Sequence, residues 1–372
     1  MRNMLIRTAI VPLFSLLLST LATCSPSPAL PVRGLYLGAP KPDGVPQLVQ
    51  FIREALPKEG VNLLVLEIDY RYQYTSHPEV VDSDALSKSD IKAIVAACRD
   101  AKVRLIPLVN LLGHQSWAEQ TFGLLRSHPE FDETPGKYPG NKDIYCRSYC
   151  PLHPALHKVV FDLIDELADA CEIDAVHVGM DEVFIVADPD CPRCKSRNRA
   201  ELFAQEVRTL HDHLAETHRE MWMWGDRFID GAVTGVGEWE GSENGTASAI
   251  NLVPRDIVIC DWHYDSAPAT AIRFAVEGFR VLYAPWRQTD VAMGELDLIR
   301  SVRAHADSTI APRMLGVLQT TWGGAAEFIN AYNASVTASQ ATSQPPSGSD
   351  AKESAEAAYT FKALFNTIRA IQ

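Results

Sequence analysis

Eight short apolar runs, each trailed by an amphipathic stretch, limit most strongly what this chain can fold into. The runs cover residues 32–37, 61–69, 103–109, 173–184, 220–224, 256–262, 280–284 and 315–320. Helical spacing fills the intervals at 46–56, 89–101, 154–171, 200–218, 267–277 and 293–305, and a last helix is expected over 355–371. In one of them a polar cap, Ser87 to Asp90, precedes Ile91, Ile94, Val95 and Cys98, which fall on one helical face. Strands that alternate with helices, with no second composition regime, predict an α/β fold, a single (β/α)8 TIM barrel. An open doubly wound sheet is the rival, but no Gly-rich phosphate turn follows the first run.

The first 30 residues read differently. Arg2 and Arg7 flank the start of an apolar stretch with Leu16, Leu17 and Leu18, and small residues follow. This is the pattern of a secretory signal. Leu21-Ala22-Thr23-Cys24 is also similar to a bacterial lipoprotein box, so lipidation of Cys24 and attachment to a membrane is the alternative to ordinary cleavage. Either way the chain is expected to be exported: periplasmic, secreted or held at the cell envelope. The barrel is then expected over 31–372, with a flexible loop at 335–354, rich in Ser, Ala, Thr, Gln and Pro. A net charge of -13 argues against nucleic acid as a partner, since phosphates would be repelled.

In such a barrel the carboxyl ends of all strands meet at one mouth, so residues far apart in sequence become neighbours. The fourth run ends in Asp181 and Glu182, and alternation puts His177, Gly179 and Asp181 on the inward face, with Val176 and Val178 outward. Two adjacent acids at a half-buried strand end repel and lose hydration, which favours chemistry over stability as their reason. Other strand ends supply Glu67 and Asp69, Asn110 and His114, Trp224 and Asp226, Trp262, His263 and Tyr264, Trp286, and Trp322. Aromatic walls around a few acids suit a sugar ring, whose CH faces pack on indole while carboxylates take its hydroxyls.

Several of these stretches resemble glycoside hydrolase family 20, the β-N-acetylhexosaminidases. His177-Val178-Gly179-Met180-Asp181-Glu182 is similar to that family's His-x-Gly-Gly-Asp-Glu signature, and residues 106–114, ending Gly113-His114, to its third strand. Residues 150–154, Trp224-Gly225-Asp226 and Thr321-Trp322 follow in the family's order, and the compact hexosaminidase D-like branch fits best. The resemblance implies that Glu182 is the general acid and base, and that Asp181 holds the 2-acetamido group. That group's own oxygen would act as nucleophile in a retaining, substrate-assisted reaction on a terminal N-acetylhexosamine (GlcNAc or GalNAc) of a glycan. Trp224, Trp262 and Trp322 would enclose the acetamido methyl. Asp69, His114, His177, Asp226, Tyr264 and Trp286 would complete the substrate site, with no cofactor and no catalytic metal. The chain departs from the family in having Leu37-Gly38-Ala39-Pro40, with only Lys41 nearby, where a strand-one arginine is common, and Gly323-Gly324 where a glutamate often follows the last tryptophan.

Cys146, Cys150, Cys191 and Cys194 fall in the loops after the third and fourth strands. An exported chain favours disulfides among them, and a structural zinc on all four is the alternative. Two other functions stay open at this level: a barrel hydrolase with a metal on His177, Asp181, His114 and Asp69, and a non-catalytic carbohydrate-binding barrel.

Overall fold

The computed structural model describes residues 30–118, 120–137, 140, 144–338 and 349–371. The leader and Cys24 lie outside the described residues. Eight strands form a closed parallel barrel: β1 (Val32–Gly38), β2 (Leu63–Glu67), β3 (Arg104–Leu111), β4 (Ala175–Gly179), β5 (Glu220–Trp224), β6 (Val258–Asp261), β7 (Arg280–Tyr283) and β8 (Met314–Gln319). Neighbours in sequence are neighbours in space, and β8 closes on β1 with Val32 opposite Gly316. The (β/α)8 expectation holds.

Strict alternation divides the apolar residues between two cores. Val176 and Val178 of β4 face outward into the layer beneath the helices. The opposite faces of the strands fill the barrel with Tyr36, Val65, Ile106, Leu108, Ala175, Trp222, Trp224, Cys260 and Leu318. Aromatic rings this large fill the interior without a pore, so the mouth has a solid floor.

The principal helices are α1 (Val45–Glu54), α2 (Lys88–Ala101), α3 (Leu156–Cys171), α4 (Arg199–Glu216), α5 (Thr270–Val276), α6 (Thr289–His305), α7 (Ala325–Ala338) and α8 (Ser349–Ile371). Helix α2 starts where its sequence says it should. The Ser87 hydroxyl accepts the Asp90 amide at 3.2 Å, and the Asp90 carboxylate accepts the Ser87 amide at 2.8 Å, a reciprocal cap. The expected loop at 335–354 is corrected at both ends, since Ser335–Ala338 completes α7 and residues 349–354 begin α8. Alanine favours helix over coil, and a composition rich in Ala and Ser hides that preference behind apparent low complexity. Helix α8 is clasped to the barrel by buried Glu59, which receives Tyr332 Oη at 2.7 Å and pairs with Lys362 and Arg369.

The β1–β8 seam depends on a missing side chain. Gly316 has φ +146°, and a Cβ there would stand 1.9 Å from the Val32 carbonyl oxygen. Gly316→Ala should therefore cost roughly 3 kcal/mol or more, because backbone must move to relieve the clash. Gly235 also has a positive φ, +80°, but nothing lies within 4 Å of its notional Cβ. Gly235→Ala should cost only about 1 kcal/mol of backbone strain. Denaturant midpoints of the two variants measure the contrast, and equal losses would show that the seam is not tightly packed.

Candidate active site

The chain turns abruptly at the mouth. Asp69, Leu112, His114, Met180 and Glu182 all have positive φ, from 47° to 66°, an uncommon conformation for residues with side chains. Gly179 at φ +67° is needed for packing as well: a Cβ would meet Asn110 Oδ1 at 2.5 Å and Asn110 Cα at 2.9 Å. The end of β4 is thus pressed against the end of β3, which brings His114 onto the acid pair. His114 Nε2 lies 3.3 Å from Asp181 Oδ2 and 3.1 Å from Glu182 Oε2. All three side chains are largely enclosed, with 11%, 6% and 14% of their surface exposed, so screening by water is weak.

Burial by itself would push the imidazole toward neutrality, but the Asp181 and Glu182 carboxylates outweigh it and hold His114 well above its ordinary value. Burial likewise opposes ionisation of Asp181, and the His114 charge overcomes it, leaving that carboxyl below its usual range. Asp226 steadies the pair from behind. Its Oδ2 accepts the Glu182 amide at 2.9 Å and its Oδ1 the Trp262 indole N–H at 3.3 Å, while Arg227 Nε donates to Oδ2 at 2.6 Å. Asp226 is a positioning residue, buried behind the cavity wall and not lining it.

A cavity of about 660 Å³ opens over the acid pair. His114, Asp181, Glu182, Trp262, Tyr264, Trp286 and Trp322 line it, as the sequence leads one to expect. Tyr264 is the hub of this wall: its ring lies 5.0 Å from Trp262 and 5.2 Å from Trp286, and its hydroxyl accepts the Trp322 indole N–H. Trp224 and His177 are corrections. Both are buried below the lining, with Trp224 only 1% exposed and packed 4.6 Å from the His177 ring and 5.6 Å from Trp322. They belong to the top layer of the barrel interior, one pleat lower than the cavity wall. His177 Nδ1 accepts the Gly179 amide at 3.1 Å, and burial holds the ring neutral with a pKa of about 3. A metal on His177, Asp181, His114 and Asp69 therefore loses one of its ligands to the floor.

A second lobe adjoins the first and shares His114, Asp181 and Trp322 with it. Half-buried Asp69 faces this lobe and holds the end of β3, accepting the Asn110 backbone amide at 2.7 Å and its side-chain amide at 3.2 Å. Enclosure and the neighbouring Glu67 carboxylate push the Asp69 carboxyl up. Sequence reasoning missed Arg71 here. Its guanidinium donates to the Ala39 and Glu67 carbonyls at 2.9 and 3.0 Å, and a Cβ on Gly38 would lie 3.8 Å from Arg71 Nη2. Glu327 similarly reaches the first lobe from α7, and a Cβ on Gly324 would stand 2.5 Å from its Oε2. The two glycines in the sequence thus mark places that charged groups enter from elsewhere. An outer aromatic group was missed as well: Trp117, Tyr145 and Trp239, which are 51%, 37% and 47% exposed. Their loops carry no periodic signal, although exposed tryptophans after strand ends are the clue available.

Residues 64–324 match the model of the glycosyl hydrolase family 20 catalytic domain. The chain belongs to glycosyl hydrolase family 20. No curated protein matches it in sequence. Among solved structures, the Flavobacterium johnsoniae chitobiase is similar at 14% identity and a TM-score of 0.59, covering 92% of this chain and 51% of that one. A Vibrio harveyi exo-β-N-acetylglucosaminidase in complex with N-acetylglucosamine gives 14% identity and a TM-score of 0.56, over 92% and 58%. Dispersin B gives 13% and 0.51, over 90% and 98%. At these identities the likeness is one of fold, and the chain spans only about half the length of the chitobiase.

In this family 20 chain the four loop cysteines do not form one group. Cys146 Sγ sits 3.5 Å from His114 Nδ1 at the mouth, whereas Cys150, Cys191 and Cys194 cluster with Glu133. The five residues from Cys146 to Cys150 run beside residues 112–116, and their four steps can span roughly 13 Å when extended, with Arg147 fixed between them by a fully buried ion pair to Asp132. None of the seven described cysteines is disulfide-bonded, and the Cys150 and Cys194 sulfurs stand 3.2 Å apart. Two sets of ligand atoms lie close enough to hold a metal ion: the Glu133 cluster, and His114 with Cys146 and Glu182. In the second set the imidazole already serves the carboxylates.

That service is measurable. Replacing His114 by Gln should cost on the order of 3 kcal/mol near neutrality, because it strands charge in an enclosed site. A histidine whose folded pKa is raised contributes stability that is complete below its unfolded value of about 6.5 and is lost as pH climbs through the folded value. The stability gap between wild type and His114→Gln should therefore narrow in alkaline solution. Denaturant midpoints across a pH series test this, and a gap that stays constant there would mean that His114 is neutral.

Proposed function

We propose that this family 20 chain is an exported, exo-acting β-N-acetylhexosaminidase that works by a retaining, substrate-assisted mechanism. The observation that carries the reading is the adjacent Asp181–Glu182 pair, bridged by one enclosed imidazole beneath an aromatic cavity of about 660 Å³. That volume suits a small ligand such as a terminal sugar. In this reading Glu182 takes up a proton before reaction, delivers it to the glycosidic oxygen as the bond breaks, then takes one from the attacking water. Asp181 accepts the acetamido N–H and stabilises the positive charge that grows as the acetamido oxygen attacks the anomeric carbon. Two acids on adjacent residues suit this chemistry, since no second carboxylate has to reach the far face of the ring. Trp262, Tyr264 and Trp322 would enclose the acetamido methyl, with Trp224 supporting them from below. Arg71 and Glu327 would read hydroxyls from the positions left open by Gly38 and Gly324.

Glu182→Gln should retain sugar binding and lower kcat on poor leaving groups by on the order of 10²–10⁴, while activated aryl leaving groups suffer less. Equal loss on both substrate types would remove Glu182 from the acid role. Replacing the N-acetyl group of the substrate by N-trifluoroacetyl weakens the nucleophile with little change in size. Turnover should fall steeply while binding is roughly kept, and the product should retain the β configuration. Inverted product, or indifference to fluorination, would overturn the substrate-assisted mechanism. Binding without any turnover would make the chain a carbohydrate-binding barrel.

A further inference from the structure

The Glu133 cluster lines neither lobe of the cavity. Cys150 Sγ is 3.2 Å from Cys194 Sγ and 3.4 Å from Cys191 Sγ, and the ligand atoms of all three and Glu133 fall within 4.8 Å of one another. Each of the four residues is at most 1% exposed. The separations exceed a disulfide bond of about 2.05 Å. They approach the edge of about 3.8 Å expected between thiolates on tetrahedral zinc, given Zn–S bonds of about 2.3 Å.

Three features point to a cation. Glu133 Oε1 accepts the Asp188 amide at 3.0 Å, but its Oε2 is buried with no partner, a costly state for a carboxylate. Cys191-Pro192-Arg193-Cys194 forms a two-residue knuckle in which the Cys194 amide points back at Cys191 Sγ at 3.4 Å, a donor placed for a metal-bound sulfur to accept. Arg193 lies within the knuckle and Lys195 and Arg197 follow it directly, a local run of positive charge in a chain whose net charge is -13. A disulfide between two of the sulfurs would explain none of these, and would leave the third cysteine and Glu133 buried and unmatched.

We propose that Cys150, Cys191, Cys194 and Glu133 form a structural zinc site that ties the loop after β3 to the loop after β4. Soft thiolates in a closed tetrahedral set select zinc over the harder divalent ions. Binding forms four ligand bonds and releases the protons of the thiols to solvent. The ion fixes the segment that runs on from Glu182 through Phe184, and so holds one wall of the mouth without touching substrate.

The full chain, purified and dialysed against metal-free buffer, should contain about one equivalent of zinc by elemental analysis. Cys191→Ser should lose it, and Cys98→Ser, in helix α2, should keep it. Glu133→Gln leaves the sulfurs in place and should weaken retention against a chelator by at least the roughly tenfold that even outer-shell losses cost. Should Cys191→Ser fail to fold, cobalt added to metal-stripped wild type gives the answer by itself. A thiolate-to-cobalt charge-transfer band with tetrahedral d–d bands supports the site, and its absence overturns it. Metal-free wild type with either free thiols or a Cys150–Cys194 disulfide, read by non-reducing peptide mapping, overturns it equally.

Discussion

Two neighbouring carboxylates in an enclosed pocket need a counter-charge, and here a single imidazole supplies it. His114 stands within 3.3 Å of both Asp181 and Glu182, and each group is shielded enough for the attraction to exceed what the same charges would feel in water. The rest of the mouth is arranged to keep that triad in place. Leu112 and His114 take strained backbone conformations at the end of β3, Met180 and Glu182 do so at the end of β4, and Gly179 lets the two ends touch. Strain of this kind persists only where the surroundings over-determine it, and the barrel interior provides those surroundings.

That interior is unusually aromatic just below the acids. Tyr36, Trp224 and neutral His177 fill the layer on which the cavity rests, and Tyr36 lies 4.9 Å from the Trp322 ring. Rigid, well-packed rings make a floor that does not yield when a ligand presses on it, which is what holding a ligand in one fixed pose requires. Asp226 extends the same logic. One buried carboxylate orients the Glu182 backbone and the Trp262 indole together, so the acid and the apolar wall move as one unit.

The loops above the barrel are fastened by polar groups as well as by apolar packing. Asp132 and Arg147 form a buried pair, Tyr149 Oη donates to Glu206 at 2.7 Å, and the Cys150–Cys191–Cys194–Glu133 group sits where the two loops cross. Segments without regular structure lack a ladder of backbone hydrogen bonds, so such cross-links add to the apolar contacts that hold their shape.

The barrel and the core of the site were legible in the chain itself. Period-two alternation fixed which residues of each strand face inward, and the end of each apolar run named the residue at the mouth, which is how Asp181, Glu182, Trp262 and Trp322 could be placed together. Both signals are local, because strand pleat and strand length are local. Depth along the barrel axis is not local. It follows from stagger between strands, and only the closed barrel decided that Trp224 and His177 lie one layer beneath the cavity while Trp286 and Tyr264 line it. Arg71 and Glu327 were hidden for the same reason, since they reach the mouth from loop and helix positions that no periodicity marks. Spacing suggested that four cysteines act together; the extended run from Cys146 to Cys150 separated them, and tertiary packing supplied Glu133, far from the others in type and pattern, as the fourth member.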